Sequence, residues 1–134
     1  MSIRFHFIGL STADMARSLG FYRALGFAIP ADADDQPHAE FQLPDGGPLM
    51  AWDTHETAKS IDPDWTPPAG TARASLAFEC EDVAQVDKTY ARLVDAGYEG
   101  ALEPFDGFWG QRYAVVLDPD GNNVDLFAPL PPTG

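Results

Sequence analysis

Apolar and polar positions alternate with a period of two from Ile3 to Leu10, which predicts a strand. Asp14 then suits a helix N-cap, its carboxylate accepting from a free N–H of the first turn. Met15, Leu19, Phe21, Tyr22 and Leu25 recur at helical spacing, and Gly26 ends the helix. Phe27-Ala28-Ile29 predicts a second strand, residues 30–37 a polar loop, and Ala39–Leu43 a third strand. The turn Pro44-Asp45-Gly46-Gly47 leads to a closing strand over Leu49–Trp52. The polar residues 53–72 read as a linker, in which Trp65 either docks on its own core or forms a lid over a ligand site.

The order then repeats. Ala74–Cys80 alternates as a strand, and Asp82 with Gln85 three residues on resembles a capping box. Val83, Val86, Tyr90, Leu93 and Val94 form the apolar side of a second helix, which Gly97 ends. Tyr98–Leu102 reads as a strand and Glu103–Gly110 as a glycine- and aromatic-containing loop. Tyr113–Leu117 and Val124–Phe127 flank the turn Asp118-Pro119-Asp120-Gly121-Asn122, a β-hairpin signal, and the proline-rich tail 129–134 frays.

Superposing the caps Asp14 and Asp82, the helix ends Leu25-Gly26-Phe27 and Ala96-Gly97-Tyr98, and the turns at Pro44 and Pro119 gives two βαβββ modules. The fold class expected is α+β: module one over about 1–53, a linker over about 54–72, module two over about 73–128 and a tail over 129–134. One helix covers one face of each sheet, so paired modules related by a pseudo-twofold axis would form a cupped cavity with the other faces. Alternation assigns Phe7 and Gly9, and Ser75, Ala77 and Glu79, to the groove. The overlay matches Met50 with Asp125 and Trp52 with Phe127, sending all four there.

A net charge of −13 argues against nucleic acid and anionic membrane surfaces; it permits a cationic ligand, or simply keeps the chain soluble. Cys80 is the only cysteine, which excludes an internal disulfide, and its alternating strand context reads as a buried small hydrophobe. No segment reads as a signal peptide or membrane span, so the expected location is cytoplasmic.

The repeat, the run Ile8-Gly9-Leu10 followed by Asp14, Ser18 and Phe21-Tyr22, the helix end Leu25-Gly26-Phe27, and the closing Asp118-Pro119-Asp120-Gly121-Asn122 resemble the vicinal oxygen chelate superfamily. That superfamily includes glyoxalase I, extradiol dioxygenases and bleomycin-resistance proteins. The resemblance covers nearly the whole chain and implies paired modules around a cupped cavity, usually in a homodimer. It also implies four metal-ligand positions, which here hold Phe7, Met50, Ser75 and Asp125. Phenylalanine cannot ligate, methionine is too soft for a hard divalent ion and serine is a poor ligand. No metal or other cofactor is therefore expected. His6 is one residue from the Phe7 position and so points to the other face, while His38 and His55 read as surface residues.

The groove expected is aromatic and acidic. Phe7, Met50, Trp52 and Phe127 would supply apolar surface, Ser75 a hydroxyl, and Phe108 and Trp109 stacking surfaces. Arg112 would sit beside Asp125, or else pair with Asp118 or Asp120, with Trp109 plugging the core. Two functions follow. One is sequestration of a small aromatic or cationic molecule, as in bleomycin-type antibiotic resistance. The alternative is a lyase, isomerase or dioxygenase that uses Asp125 as base or an unusual divalent-metal site.

Overall fold

The structure, a computed structural model, describes residues 2–132 and divides into two units, 1–69 and 70–134. In the first unit β1 (Phe7–Thr12) is followed by α1 (Met15–Leu25), β2 (His38–Gln42), β3 (Leu49–Thr54) and α2 (His55–Ile61). The strands lie in the order β1-β3-β2, with β1 parallel and β2 antiparallel to β3. Asp14 caps α1 as expected, accepting from the Arg17 N–H at 3.1 Å, and Gly26 ends it at φ 127°.

Two expectations fail in this unit. Phe27-Ala28-Ile29 is not a strand, so this sheet has three strands. The Ile29 and Pro30 carbonyls instead accept from the Arg23 guanidinium, each at 2.8 Å, and need no strand neighbour. The stretch read as a linker holds α2, capped by Thr54, whose hydroxyl accepts from the Thr57 N–H at 3.2 Å. Trp65 packs its ring against His55, the first residue of α2, at 5.0 Å between centroids.

The second unit runs β4 (Ser75–Glu79), α3 (Val83–Asp95), β5 (Glu99–Asp106), β6 (Gln111–Leu117) and β7 (Asn123–Pro129). Its sheet has the order β4-β7-β6-β5, with β4 parallel to β7. Asp82 caps α3 through the Gln85 N–H at 2.8 Å, and the Gln85 side chain accepts from the Glu81 N–H. Where a loop was expected from Glu103, β5 continues to Asp106. It is an edge strand with register shifts on either side of Leu102, and such a strand tolerates Pro104.

The two hairpin turns differ by one residue, and this decides which way β3 faces. Leu43 N–H bonds to the Pro48 carbonyl across four residues, whereas Asp118 N–H bonds to the Asn122 carbonyl across three. The first turn carries the extra glycine of Gly46-Gly47, with Asp45 and Gly46 both at positive φ, 60° and 73°. A slip of one residue sends each side chain to the opposite face. Ladder pairing therefore matches Asp125 with Ala51, not Met50: Gly9 pairs with Ala51 as Ala77 pairs with Asp125. Met50 and Trp52 share the α1 face of the sheet, both buried, with the Trp52 ring 5.4 Å from that of Tyr22 on α1. They belong to the core rather than to a ligand surface.

Asp118 organises the second turn. Nearly buried, it accepts from the Asp120 and Asn122 N–H groups at 3.0 and 2.9 Å and from the Asn122 amide at 2.8 Å. Gly121 follows at φ 87°.

Candidate functional site

The sheet face of the second unit that looks away from α3 gathers the chemistry. Val124, Leu126, Ala114 and Val116 are buried on the α3 side, so alternation puts Asp125, Phe127, Tyr113 and Val115 on the other. Ser75, Ala77 and Glu79 on β4 share that face through their pairing with Asn123, Asp125 and Phe127.

Asp125 is 8% exposed, and the Tyr113 hydroxyl donates to its Oδ2. No other described group donates to this carboxylate, so its second oxygen has no partner among the described residues. Desolvation, and next the bond to Asp125, push the Tyr113 phenol up to about 12, so it is a neutral donor at physiological pH. Sequence reasoning did not single out Tyr113. Its place two residues before Val115, the cross-strand partner of Asp125, was the available signal.

Aromatic rings extend from this pair. Tyr113 stacks on Phe127 at 6.3 Å with 21° between planes, and Trp109 meets Tyr113 edge-on at 5.5 Å. Phe105 lies 6.0 Å from Trp109, and Phe108 lies 5.1 Å from it. The indole is held by a 2.8 Å bond from its Nε1 to the Gln111 side chain. Gly107 is required for this arrangement, since a Cβ there would lie 2.6 Å from the Trp109 ring. Trp109 remains 48% exposed, so it is not a core plug, and Phe108 is almost fully exposed.

Arg112 is elsewhere. It points to the α3 side, where it bonds to both Asp87 carboxylate oxygens at 2.9 and 3.2 Å and to Asp106 at 3.0 Å. It neither sits beside Asp125 nor pairs with Asp118 or Asp120. Those bonds tie the aromatic β5–β6 turn to the helix. Arg112 is the only lysine, arginine or histidine in the four strands of this sheet, so the strands place no cation on the Asp125 face.

The corresponding face of the first unit is different. Phe7, half exposed, pairs with Leu49 and lies over Gly9. Farther along, His38 stands between two carboxylates, Nδ1 to Asp53 at 2.5 Å and Nε2 to Glu40 at 2.8 Å. Glu40 first and Asp53 second raise the His38 pKa, favouring imidazolium. The two acids approach opposite ring nitrogens, so the trio does not converge on one ion. No group of three or more His, Cys, Asp or Glu among the described residues is arranged to hold a metal. With Met50 replaced by Ala51 in the register, the four family ligand positions become Phe7, Ala51, Ser75 and Asp125, and only one can ligate well. Cys80 is half-buried, and desolvation raises its thiol pKa, which does not suit a nucleophile. No helix among the described residues is long and apolar enough to cross a membrane.

The family model for the glyoxalase/bleomycin resistance protein/dioxygenase superfamily matches residues 4–126. Among solved structures, a glyoxalase/bleomycin resistance protein/dioxygenase family enzyme from Burkholderia phytofirmans is similar with a TM-score of 0.80 at 20% identity, over 92% of this chain and 97% of that one. A glyoxalase/bleomycin resistance protein/dioxygenase from Nocardioides gives 0.73 at 24% identity, over 99% and 89%. A protein of unknown function from Agrobacterium tumefaciens gives 0.73 at 26% identity, over 97% of each chain. No curated protein matches.

Proposed function

Starting from the fact that the chain belongs to the glyoxalase/bleomycin resistance protein/dioxygenase superfamily, we propose that it binds a small aromatic, cationic molecule without a metal ion. The observation that carries this reading is the buried Asp125 carboxylate, set among aromatic rings on a sheet face whose strands supply no cation. A largely buried carboxylate attracts an opposite charge, and aromatic faces attract the same cation. The net charge of −13 concentrates positive solutes around the whole chain. Ser75 and Phe127 share the face with Asp125, while Phe108 and Trp109 supply its exposed aromatic surface. We place the protein in the cytoplasm as a homodimer that sequesters its ligand, with antibiotic resistance as the biological outcome.

The test is calorimetric titration with phenethylammonium, a planar acridinium dye and neutral naphthalene methanol. Stoichiometric binding of the cations, quenching of tryptophan fluorescence and recovery of the compound unchanged support the reading. Equal binding of the neutral compound, or no binding of either cation, overturns it. Light scattering on the purified chain tests the dimer.

A second reading is favoured by one observation, the hydrogen bond from Tyr113 to Asp125. A carboxylate with a fixed orientation and a neutral phenol beside it is a base and acid pair, suited to a metal-free lyase or isomerase. Turnover of a small carbonyl compound that Asp125→Asn abolishes would establish it. The metal-dependent dioxygenase reading has too few ligands in Phe7, Ala51, Ser75 and Asp125.

A further inference from the structure

The Asp125 carboxylate is divided by its neighbour. Oδ2 accepts from Tyr113, and no other described group donates to the carboxylate. The Tyr113 ring that donates this bond is itself packed: Phe127 stacks on it, and Trp109 meets it edge-on. Of the two cross-strand neighbours of Asp125, Val115 on β6 is buried, while Ala77 on β4 is exposed and takes little space. Asp125 is thus a buried anion with one oxygen committed and one open, beside a small exposed residue and an aromatic cluster.

We infer that the open oxygen recognises one N–H of a protonated primary or secondary amine carried by an aromatic ligand, and that Tyr113 is the positioning residue setting this selectivity. The inference rests on the cationic-ligand reading but goes further. A point charge would hold any cation, including a quaternary one, whereas a single aimed acceptor needs a donor hydrogen. Cation–π attraction to Trp109 and its neighbours acts on both kinds of cation. The hydrogen bond therefore appears as a difference between them. The open oxygen has two lone pairs at most to fill, and protonated primary and secondary amines both carry enough N–H groups to fill them, so the two are held alike.

The experiment titrates the full chain with phenethylammonium, N-methylphenethylammonium and N,N,N-trimethylphenethylammonium. The expected result is similar affinity for the first two, within about threefold, and a loss of roughly 10- to 100-fold for the third, the worth of a charged hydrogen bond. Tyr113→Phe keeps the ring and its stacking but removes the hydroxyl. It should lower amine affinity toward that of the quaternary compound, leaving quaternary binding within about threefold of the parent. A purely structural role for Tyr113 would weaken all three equally, and that result would overturn its positioning role. Equal binding of all three by the parent chain overturns the inference while sparing the cationic-ligand reading. Failure of all three to bind, with the acridinium dye also silent, overturns both. Circular dichroism of each variant confirms that the fold persists.

Discussion

The two units answer the same problem, a sheet with one helix-covered face, in opposite chemical ways. On the first, the acids of the open face are paired internally: His38 lies between Glu40 and Asp53, partly exposed, with both ring nitrogens engaged. On the second, the acid is buried, its hydrogen bond comes from a neutral phenol, and the strand cation Arg112 is spent on the other face with Asp87 and Asp106. Internal pairing leaves the first face with little to offer a charged ligand. The second face has an unneutralised charge and an aromatic setting, which is what a cation needs.

The sharpest way to break this comparison is to exchange expectations about the aromatic residues. Trp52→Ala should destabilise the chain by about 3–5 kcal/mol, as for deletion of a fully buried ring, read from urea denaturation. Trp52→Phe should cost less, because the buried indole N–H has no hydrogen-bond partner. Trp109→Ala should leave stability within about 0.5 kcal/mol, as an exposed site does, while weakening cation binding. If Trp109 proved the larger contributor to stability, the assignment of core and ligand face would be reversed.

Next in size is Asp125→Asn, which keeps shape but removes the charge. Phenethylammonium affinity should fall roughly 10- to 100-fold with far-ultraviolet circular dichroism unchanged. The matching change on the first unit, Glu40→Gln, should leave that affinity within about threefold.

The smallest effect concerns pH. The raised His38 pKa means that its two carboxylate bonds contribute stability fully below the unfolded value of about 6.5. That contribution disappears as pH rises through the raised folded value. With the His38 side chain 42% exposed, solvent screening limits it to below about 1 kcal/mol. Urea midpoints at pH 6 and pH 9 should differ in that direction in the parent chain. In His38→Gln this component of the difference should be gone.

Much of the fold could be read from local patterns, because the signals are local chemistry. Asp14 and Asp82 cap their helices, and Gly26 and Gly97 follow them at positive φ. The alternation of Leu76, Phe78, Val124 and Leu126 marks a helix-covered face. Phe27–Ile29 misled because an apolar triplet looks like a strand whether its carbonyls bond to a neighbouring strand or, as here, to Arg23. Residues 53–72 misled because their polarity hid the Thr54 cap of α2. At the site, Asp125, Phe127 and Ser75 could be assigned to one face by alternation within their own strands. Met50 and Trp52 could not, because their facing depended on counting residues across a turn.

By itself the sequence determined the repeated order of elements, the helix ends and the presence of an acid among apolar strand residues. Each rests on residue type and near spacing, which do not change when the chain folds. Tertiary structure alone decided that one additional glycine turns Met50 and Trp52 inward, that Arg112 crosses to Asp87, and that Tyr113 rather than Arg112 reaches Asp125. These are facts about pairing between distant strands. A one-residue slip or an alternative ion-pair partner leaves the local pattern almost unchanged while moving the side chain to the other face of the sheet.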